Sequence, residues 1–552
     1  MQVIYTVGGL KRGFDRPAAT TSPSTWTRWG CCRRARWPEV RDADGRWIEA
    51  VPYGVGISSG LLSLPSPGHP ALSYAATSIA MHAMNVLLRS SALIVIGLLA
   101  CGCSAFPVQA QGTFVGSWAG TLEAGGVELR VIFHIERTEG GGLTGSMDSP
   151  DQGAMGIPVS RVTVAGDSLT LVVGTVNGRF EGVLAEADST IDGTWVQSGR
   201  SFPLTLSPAE ASASAPPARP QHPEPPFPYA TETVTFRNAQ ADITLAGTLT
   251  APEGTGPHPA VVLISGSGPQ NRDSEVLGHK LFLVLADHLT RHGIAVLRYD
   301  ERGVGVSGGS FAGATSADLA RDAAVAVRFL AARPDIDGDA VGLLGMSEGG
   351  LVAPMVHTRL EPVDFLVLMA GPSVPGDDIL VEQSARIVAA QGASASAVDS
   401  IRRVRRRALE AIRTAPDSAT AASQLRAVLD AEGASRDQIQ LQIEQSTTPW
   451  FQYFVRHDPA PALRQVDIPV LALYASNDLQ VPPAQNVAPM RAALDASSSD
   501  DVTVRVLDGL NHLFQPAETG HPSEYARIET TMAPVALRVV TDWIQARTAA
   551  GE

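Results

Sequence analysis

Cysteine is scarce and confined to one end of the chain. Of 552 residues four are cysteine, and all lie early: Cys31, Cys32, Cys101 and Cys103. Nothing beyond Cys103 can form a disulfide or a thiolate metal site, so the body has to rely on a packed core. A membrane-length apolar run is also missing from the leading region, where Ala92–Ala100 (ALIVIGLLA) is too short to span a bilayer comfortably. Positive charge is in deficit over most of the chain. Net charge is −14, yet residues 1–110 carry 10 Lys/Arg against 5 Asp/Glu, so the remainder carries −19. Such a body repels nucleic acid and anionic lipid and is compatible with a neutral or cationic small substrate. The hydrophobic fraction of 44% and charged fraction of 18% are ordinary for a globular protein, and the length exceeds what one core supports.

Residues 81–110 read as a targeting segment. Arg89 supplies a positive start, the apolar run follows, and Val108-Gln109-Ala110 offers small residues where a signal peptidase cuts. Leu98-Leu99-Ala100-Cys101 also resembles a lipobox, so lipidation at Cys101 and cleavage after Ala110 are both open; either makes the protein exported, periplasmic or membrane-anchored. A buried helix is the bland alternative for the run. Residues 1–80, rich in Arg, Trp, Pro and Gly without sustained periodicity, read as a non-native leader or a disordered segment, with the natural start expected at Met81 or Met84.

Three blocks follow. Residues 112–207 read as an all-β domain: Val127, Leu129, Val131, Phe133 and Ile135 alternate as in a half-buried strand, and turn clusters such as Glu139-Gly140-Gly141-Gly142 separate short runs. Gly116-Ser117-Trp118 and Gly193-Thr194-Trp195 echo each other, as paired strands of a small barrel or sandwich would. With no chemistry visible there, an accessory domain packed on the rest is favoured over a ligand- or glycan-binding module. Residues 208–228 read as a proline-rich, extended linker. From 229 to 549 the pattern alternates strands and helices. Ala260–Ile264, Gly293–Leu297, Val341–Leu344, Phe365–Met369 and Val470–Tyr474 are short apolar runs of the kind buried on both faces. A helix over 317–332 with Leu319, Ala323, Val327 and Leu330 on one face fits between them. This is an α/β fold with a mostly parallel sheet covered by helices. Residues 375–465 interrupt it with a helical pattern, Ile401, Val404, Ala408 and Ile412 forming a stripe, and read as a cap over the carboxyl ends of the strands. The arginine run from Arg402 to Arg407 reads as a solvated helix face.

Gly345-Met346-Ser347-Glu348-Gly349 fits G-x-S-x-G, but so do the segments around Ser58 and Ser307. The motif works only on a sharp strand-to-helix turn. Ser347 alone has that setting, after Val341–Leu344 and before Leu351-Val352-Ala353-Pro354, where Pro354 is tolerable only near the helix start. A serine hydroxyl needs a base, and the base needs a carboxylate, here in the order Ser, acid, His. Four histidines follow. His357 falls in the helix after the nucleophile, His457 in the cap's exit, and His521 is the weaker rival; His512, just past the strand-like Val502–Leu507, is the candidate base. Asp478, just past Val470–Tyr474, is the candidate acid, with Asp508 more suited to starting a turn with Gly509. The oxyanion needs two donors, for which the backbone N–H of Glu348 and of Ser267 are nominated, Gly268 being the near alternative to the second. Trp450, Phe451, Tyr453 and Phe454 fit either an acyl pocket or the packing of the cap on the core.

Four separated segments occur in order: Ser265-Gly266-Ser267-Gly268-Pro269-Gln270-Asn271-Arg272-Asp273, Arg298-Tyr299-Asp300-Glu301-Arg302-Gly303, Gly345-Met346-Ser347-Glu348-Gly349-Gly350, and Asn477-Asp478-Leu479-Gln480-Val481-Pro482. Together they resemble the bacterial EstD-like esterases, α/β-hydrolases often labelled serine aminopeptidase-like, over roughly 229–549. The resemblance implies an α/β-hydrolase fold with a cap and carboxylesterase activity on short acyl esters. It implies Ser347 as nucleophile, Asp478 as acid and His512 as base, with Arg302 anchoring a loop near the site. Ala475 departs from the glycine often found before the acid. The β domain also resembles one seen ahead of such hydrolases. The expected function is cleavage of short-to-medium acyl esters through an acyl-enzyme on Ser347, chemistry that requires no cofactor and no metal, on a small-molecule acyl ester. A serine aminopeptidase is the alternative enzyme, and a surface binding protein with an inert hydrolase domain the alternative of another class.

Overall fold

The computed structural model describes residues 114–548 apart from 125–126, 139, 153, 186–189, 198–199, 210–217 and 255. The leader 1–80, the targeting segment 81–110 and Cys101 within it lie outside the described residues. No helix among the described residues is long and apolar enough to cross a membrane.

The first block is all antiparallel. Its strands are β1 (Gly116–Ala124), β2 (Val127–Arg137), β3 (Leu143–Ser149), β4 (Ala154–Val159), β5 (Arg161–Ala165), β6 (Ser168–Val173), β7 (Gly178–Leu184), β8 (Ile191–Gln197) and β9 (Arg200–Pro208). They form one nine-stranded sheet in the order β4-β3-β2-β1-β9-β8-β7-β6-β5. Alternation places Val131, Phe133 and Ile135 inside, where Phe133 meets Phe180 and Trp195 at ring centroid distances of 6.0 Å. The two echoed tripeptides do not pair with each other. β1 and β8 each flank β9, and Trp118 and Trp195 both enter the one core.

The linker region is more than a spacer. Proline leaves its backbone with few donors, and its side chains make the bonds instead. Arg219 donates to the carbonyls of Leu277 (3.1 Å), Ala526 (2.9 Å) and Ile528 (3.1 Å). Gln221 accepts from the N–H of Thr531 (2.7 Å) and Met532 (2.9 Å) and donates back to the Met532 carbonyl (2.8 Å). Residues 219–221 are thus built into the block that follows. Replacing Arg219 with alanine strands three carbonyls and is expected to cost about 2 kcal/mol; chemical denaturation of the full chain checks this, and an unchanged midpoint would contradict it.

The second block is a mixed sheet with two antiparallel strands at one edge. β10 (Ala230–Asn238) and β11 (Ile243–Ala251) are antiparallel, while β12 (His258–Ile264), β15 (Ala295–Tyr299), β16 (Ile336–Met346), β17 (Phe365–Met369), β18 (Val470–Ala475) and β19 (Val502–Leu507) run parallel. The order is β10-β11-β15-β12-β16-β17-β18-β19. A two-stranded hairpin, β13 (Glu275–Val276) and β14 (His279–Lys280), branches off after β12. β15, β17 and β18 are buried at every position because helices cover both faces. Each buried Leu, Val or Phe there contributes about 1.5–3 kcal/mol.

Those helices are α1 (Leu281–Arg291), α2 (Ser316–Ala331), α3 (Glu348–Arg359), α10 (Pro483–Asp495) and α11 (Pro534–Thr548). α2 starts sharply because Thr315 and Asp318 cap it reciprocally. Pro354 sits at the seventh position of α3, well inside rather than near its start. The helix persists because the residues from Glu348 to Val356 are buried and packing outweighs one lost backbone bond.

Between β17 and β18 the chain leaves the sheet and forms α4 (Gly376–Ala390), α5 (Ala395–Thr414), α6 (Ser418–Ala431), α7 (Arg436–Ser446), α8 (Pro449–Arg456) and the short α9 (Ala460–Leu463). α5 buries Val398, Ala408, Leu409 and Ile412 on one face. Among its arginines, Arg402 pairs with Glu382 and Asp399, and Arg407 with Glu432.

Candidate active site

β16 ends at Met346 and α3 begins at Glu348, so a single residue makes the turn. That residue, Ser347, has φ 55° and ψ −118°, a left-handed conformation that costs a non-glycine residue about 1–3 kcal/mol. The neighbours make it tolerable. A Cβ on Gly345 or Gly349 would run into backbone atoms, and a Cβ on Gly266 would stand 3.2 Å from the Ser347 Cβ. The strain aims the hydroxyl off the end of the sheet.

Asp478 and His512 reach it from beyond the ends of β18 and β19, the second and third strands along the sheet from β16. His512 Nε2 is 3.1 Å from Ser347 Oγ, and His512 Nδ1 is 2.8 Å from Asp478 Oδ2. Asp478 Oδ1 accepts the backbone N–H of Gln480 (2.7 Å) and Val481 (2.9 Å). A carboxylate surrounded by donors accepts only, so the ring proton sits on Nδ1 and Nε2 keeps its lone pair toward the serine. Exposure is 8% for Ser347, 1% for His512 and 2% for Asp478, so water competes little for these bonds.

The rival residues lie elsewhere. His357 is 2.8 Å from Asp467. His457 caps the end of α8 and stacks on Tyr453. His521 is bonded to Ser523 and Gln391 and lines a different pocket, behind the His512 loop. Asp508 is exposed beside Gly509, whose φ is 72°. Ser307 bonds the Asp300 carbonyl and the Ala246 N–H, which is a scaffold role. Ser58 is outside the described residues.

Glu348 opens α3, so its N–H belongs to the first turn and has no intrahelical acceptor. Ser267 and Gly268 follow β12 and face the same cavity as Ser347. Their loop is held by residues of the 298–303 segment. Glu301 accepts the N–H of Gln270 at 2.9 Å and returns its own N–H to the Gln270 carbonyl at 3.1 Å. Asp300 takes a bidentate bond from Arg272, at 2.6 and 3.1 Å. Burial pushes the Glu301 carboxyl well above its usual range. Arg302 points the other way and binds Asp322 of α2 at 2.6 and 2.9 Å. It anchors its own turn, while Asp300 and Glu301 hold the loop that carries Ser267 and Gly268. The loop that carries His512 has a similar support. Buried Asn511 accepts from Leu513 and Gln515 (both 3.0 Å) and donates to the Gln515 side chain (2.9 Å), and the pairing of Leu510 with Pro516 closes the loop.

A cavity of about 430 Å³ opens on Ser347. The sheet domain contributes Pro269, Phe311, Pro372 and Val481, and the helical segment between β17 and β18 contributes Ile379, Leu380, Trp450, Phe451 and Phe454. Of the four aromatics of α8, Tyr453 stays out of the lining. Glu348 is the one ionisable side chain among the residues that line it.

The same three residue types meet once more in the β domain, where Ser117 Oγ, His134 and Asp148 are linked at 2.8 Å each. There Ser117 lies within a paired strand with no left-handed turn to project it. The backbone at Ser347 is what separates a nucleophile's setting from a cross-strand polar cluster.

A largely parallel sheet, a strained strand-to-helix serine and the Asp478 and His512 loops beyond β18 and β19 place the chain in the α/β-hydrolase fold class. Within that class, residues 279–518 match the family model described as "Serine aminopeptidase, S33". The chain is 27% identical to Esterase EstD of Thermotoga maritima over 292 residues, 52% of this chain and 63% of that esterase, and so spans less than two thirds of the relative's length. Among solved structures it is similar to a Pyrococcus furiosus esterase (13% identity, 58% of this chain and 90% of that one, TM-score 0.36). It is also similar to Est1E of Butyrivibrio proteoclasticus, whose structure holds ferulic acid (15% identity, 57% and 99%, TM-score 0.36).

Proposed function

We propose that the chain is a serine carboxylesterase that cleaves short-to-medium acyl esters. The observation that carries this is Ser347 itself: a left-handed serine, 3.1 Å from a histidine that a buried carboxylate orients, facing an apolar cavity. Ser347 Oγ attacks the ester carbonyl as His512 Nε2 takes its proton. The N–H groups of Ser267 and Glu348 receive the developing oxyanion. His512 then passes the proton to the leaving alcohol, and water hydrolyses the acyl-enzyme with His512 again as base.

The family description also admits an aminopeptidase. Such an enzyme needs a carboxylate free to hold an α-ammonium group. Glu348 is the one ionisable group in the lining, and donors of the protein already occupy it. The other polar side chains of the lining, Gln383, Gln445, Thr448 and Gln480, are neutral, so a buried ammonium group there would lack a counter-charge. The expected result is a kcat/KM for p-nitrophenyl butyrate at least about 100-fold above that for aminoacyl-p-nitroanilides. Faster turnover of the anilides would overturn the ester reading.

The same proposal includes export. Arg89, the apolar run of Ala92–Ala100 and Val108-Gln109-Ala110 support a signal segment, and Cys101 supports a lipid anchor. Mass and detergent partitioning of the mature protein decide between a soluble product starting after Ala110 and a lipoprotein. A mature protein that retains residues 81–110 without lipid would refute both.

A further inference from the structure

Acyl transfer as described uses only the backbone N–H of Glu348. Its side chain is a separate feature. The residue is 1% exposed, and its carboxylate collects donors from three other elements. Ser316 Oγ, at the start of α2, donates to Oε1 at 2.6 Å. The Trp450 indole N–H, from cap helix α8, is shared between Oε1 at 2.9 Å and Oε2 at 3.0 Å. The Ser267 hydroxyl, from the oxyanion loop, stabilises the same charge. Burial raises the carboxyl's proton affinity and these donors oppose the rise. Nucleophile turn, oxyanion loop, α2 and cap therefore meet on one carboxylate. Both nominated oxyanion donors belong to residues whose side chains join this node.

We propose that the Glu348 side chain is a positioning residue that ties cap helix α8 and the oxyanion loop to the nucleophile turn, so that the two oxyanion N–H groups are aligned only while the Trp450 indole is docked. The proposal deepens the Ser347 acyl-transfer reading and rests on it. Trp450 has two separable functions. Its ring walls the cavity, stacked on Phe454 at 5.7 Å and 19°, and its N–H holds Glu348. Trp450→Phe removes the second and keeps most of the first. Glu348→Gln replaces one acceptor oxygen with an NH2 group, so a donor comes to face the indole or Ser316 donors.

The test is a double-mutant cycle in the full chain with p-nitrophenyl butyrate: wild type, Trp450→Phe, Glu348→Gln and both. Each single variant is expected to lose kcat about 10-fold or more with KM changing less than about threefold, because alignment rather than ground-state binding is lost. The double variant is expected to be about as slow as the worse single, since both changes break one interaction. Additive losses, or a change in KM alone, would overturn the proposal. Trp450→Phe decides the matter even if Glu348→Gln does not fold. The rate of fluorophosphonate labelling at Ser347 keeps two failures apart. No labelling of the wild type fails the Ser347 reading and the positioning role with it. Wild-type labelling and kcat in a folded Trp450→Phe variant fail the positioning role alone.

Discussion

Ser347→Ala is expected to lower kcat on p-nitrophenyl butyrate about a million-fold, to near the residual rate that oxyanion donors and binding alone provide. Fluorophosphonate labelling should vanish with it. Stability should barely change, or rise slightly, because alanine fills the same tight space while leaving no buried hydroxyl to satisfy. The left-handed backbone is imposed by the packing of Gly345, Gly349 and Gly266 around the turn, which the substitution does not touch. This separates the enzyme from a binding protein with an inert hydrolase fold. A variant that retained more than about a hundredth of wild-type turnover would place the nucleophile elsewhere.

The parts of this site that could be read from sequence are those in which local chemistry and chain order agree. A G-x-S-x-G segment after an apolar run reads as a nucleophile turn, and later strand ends then narrow the candidates for acid and base to Asp478 and His512, which the fold brings to Ser347. The central strands were visible as apolar runs because helices cover both faces. The supports were not visible, because each depends on a partner brought close by the fold. Glu348 and Trp450 are 102 positions apart, and in the motif Glu348 occupies a position where any residue is allowed. Arg219 and Ala526 are 307 apart, so a proline-rich stretch looked like a spacer. Asp300 and Glu301 stood beside Arg302, and charge alone did not say which would turn toward the oxyanion loop. Asn511 carried the one local signal that was passed over. An asparagine next to a loop histidine is suited to bonding backbone N–H groups two to four residues ahead, as it does here.

Asp478→Asn is expected to be at least as damaging as losing the side chain, about 10⁴-fold in kcat, although it preserves size and shape. The reason is directional. Asp478 Oδ1 receives two backbone N–H groups, from Gln480 and Val481, and only an acceptor fits there. The amide oxygen of asparagine must therefore take that place, which turns its NH2 group toward His512 Nδ1. A donor at Nδ1 forces the ring proton onto Nε2, and Nε2–H then faces Ser347 Oγ instead of a lone pair. The base is blocked by its own proton while every heavy atom stays in place. Asp478→Ala leaves the ring free to adopt either tautomer, so the isosteric change should offer no rescue over alanine, measured as kcat at fixed pH with melting curves to confirm folding. An asparagine variant within about tenfold of wild type would mean that the carboxylate does not set the tautomer of His512.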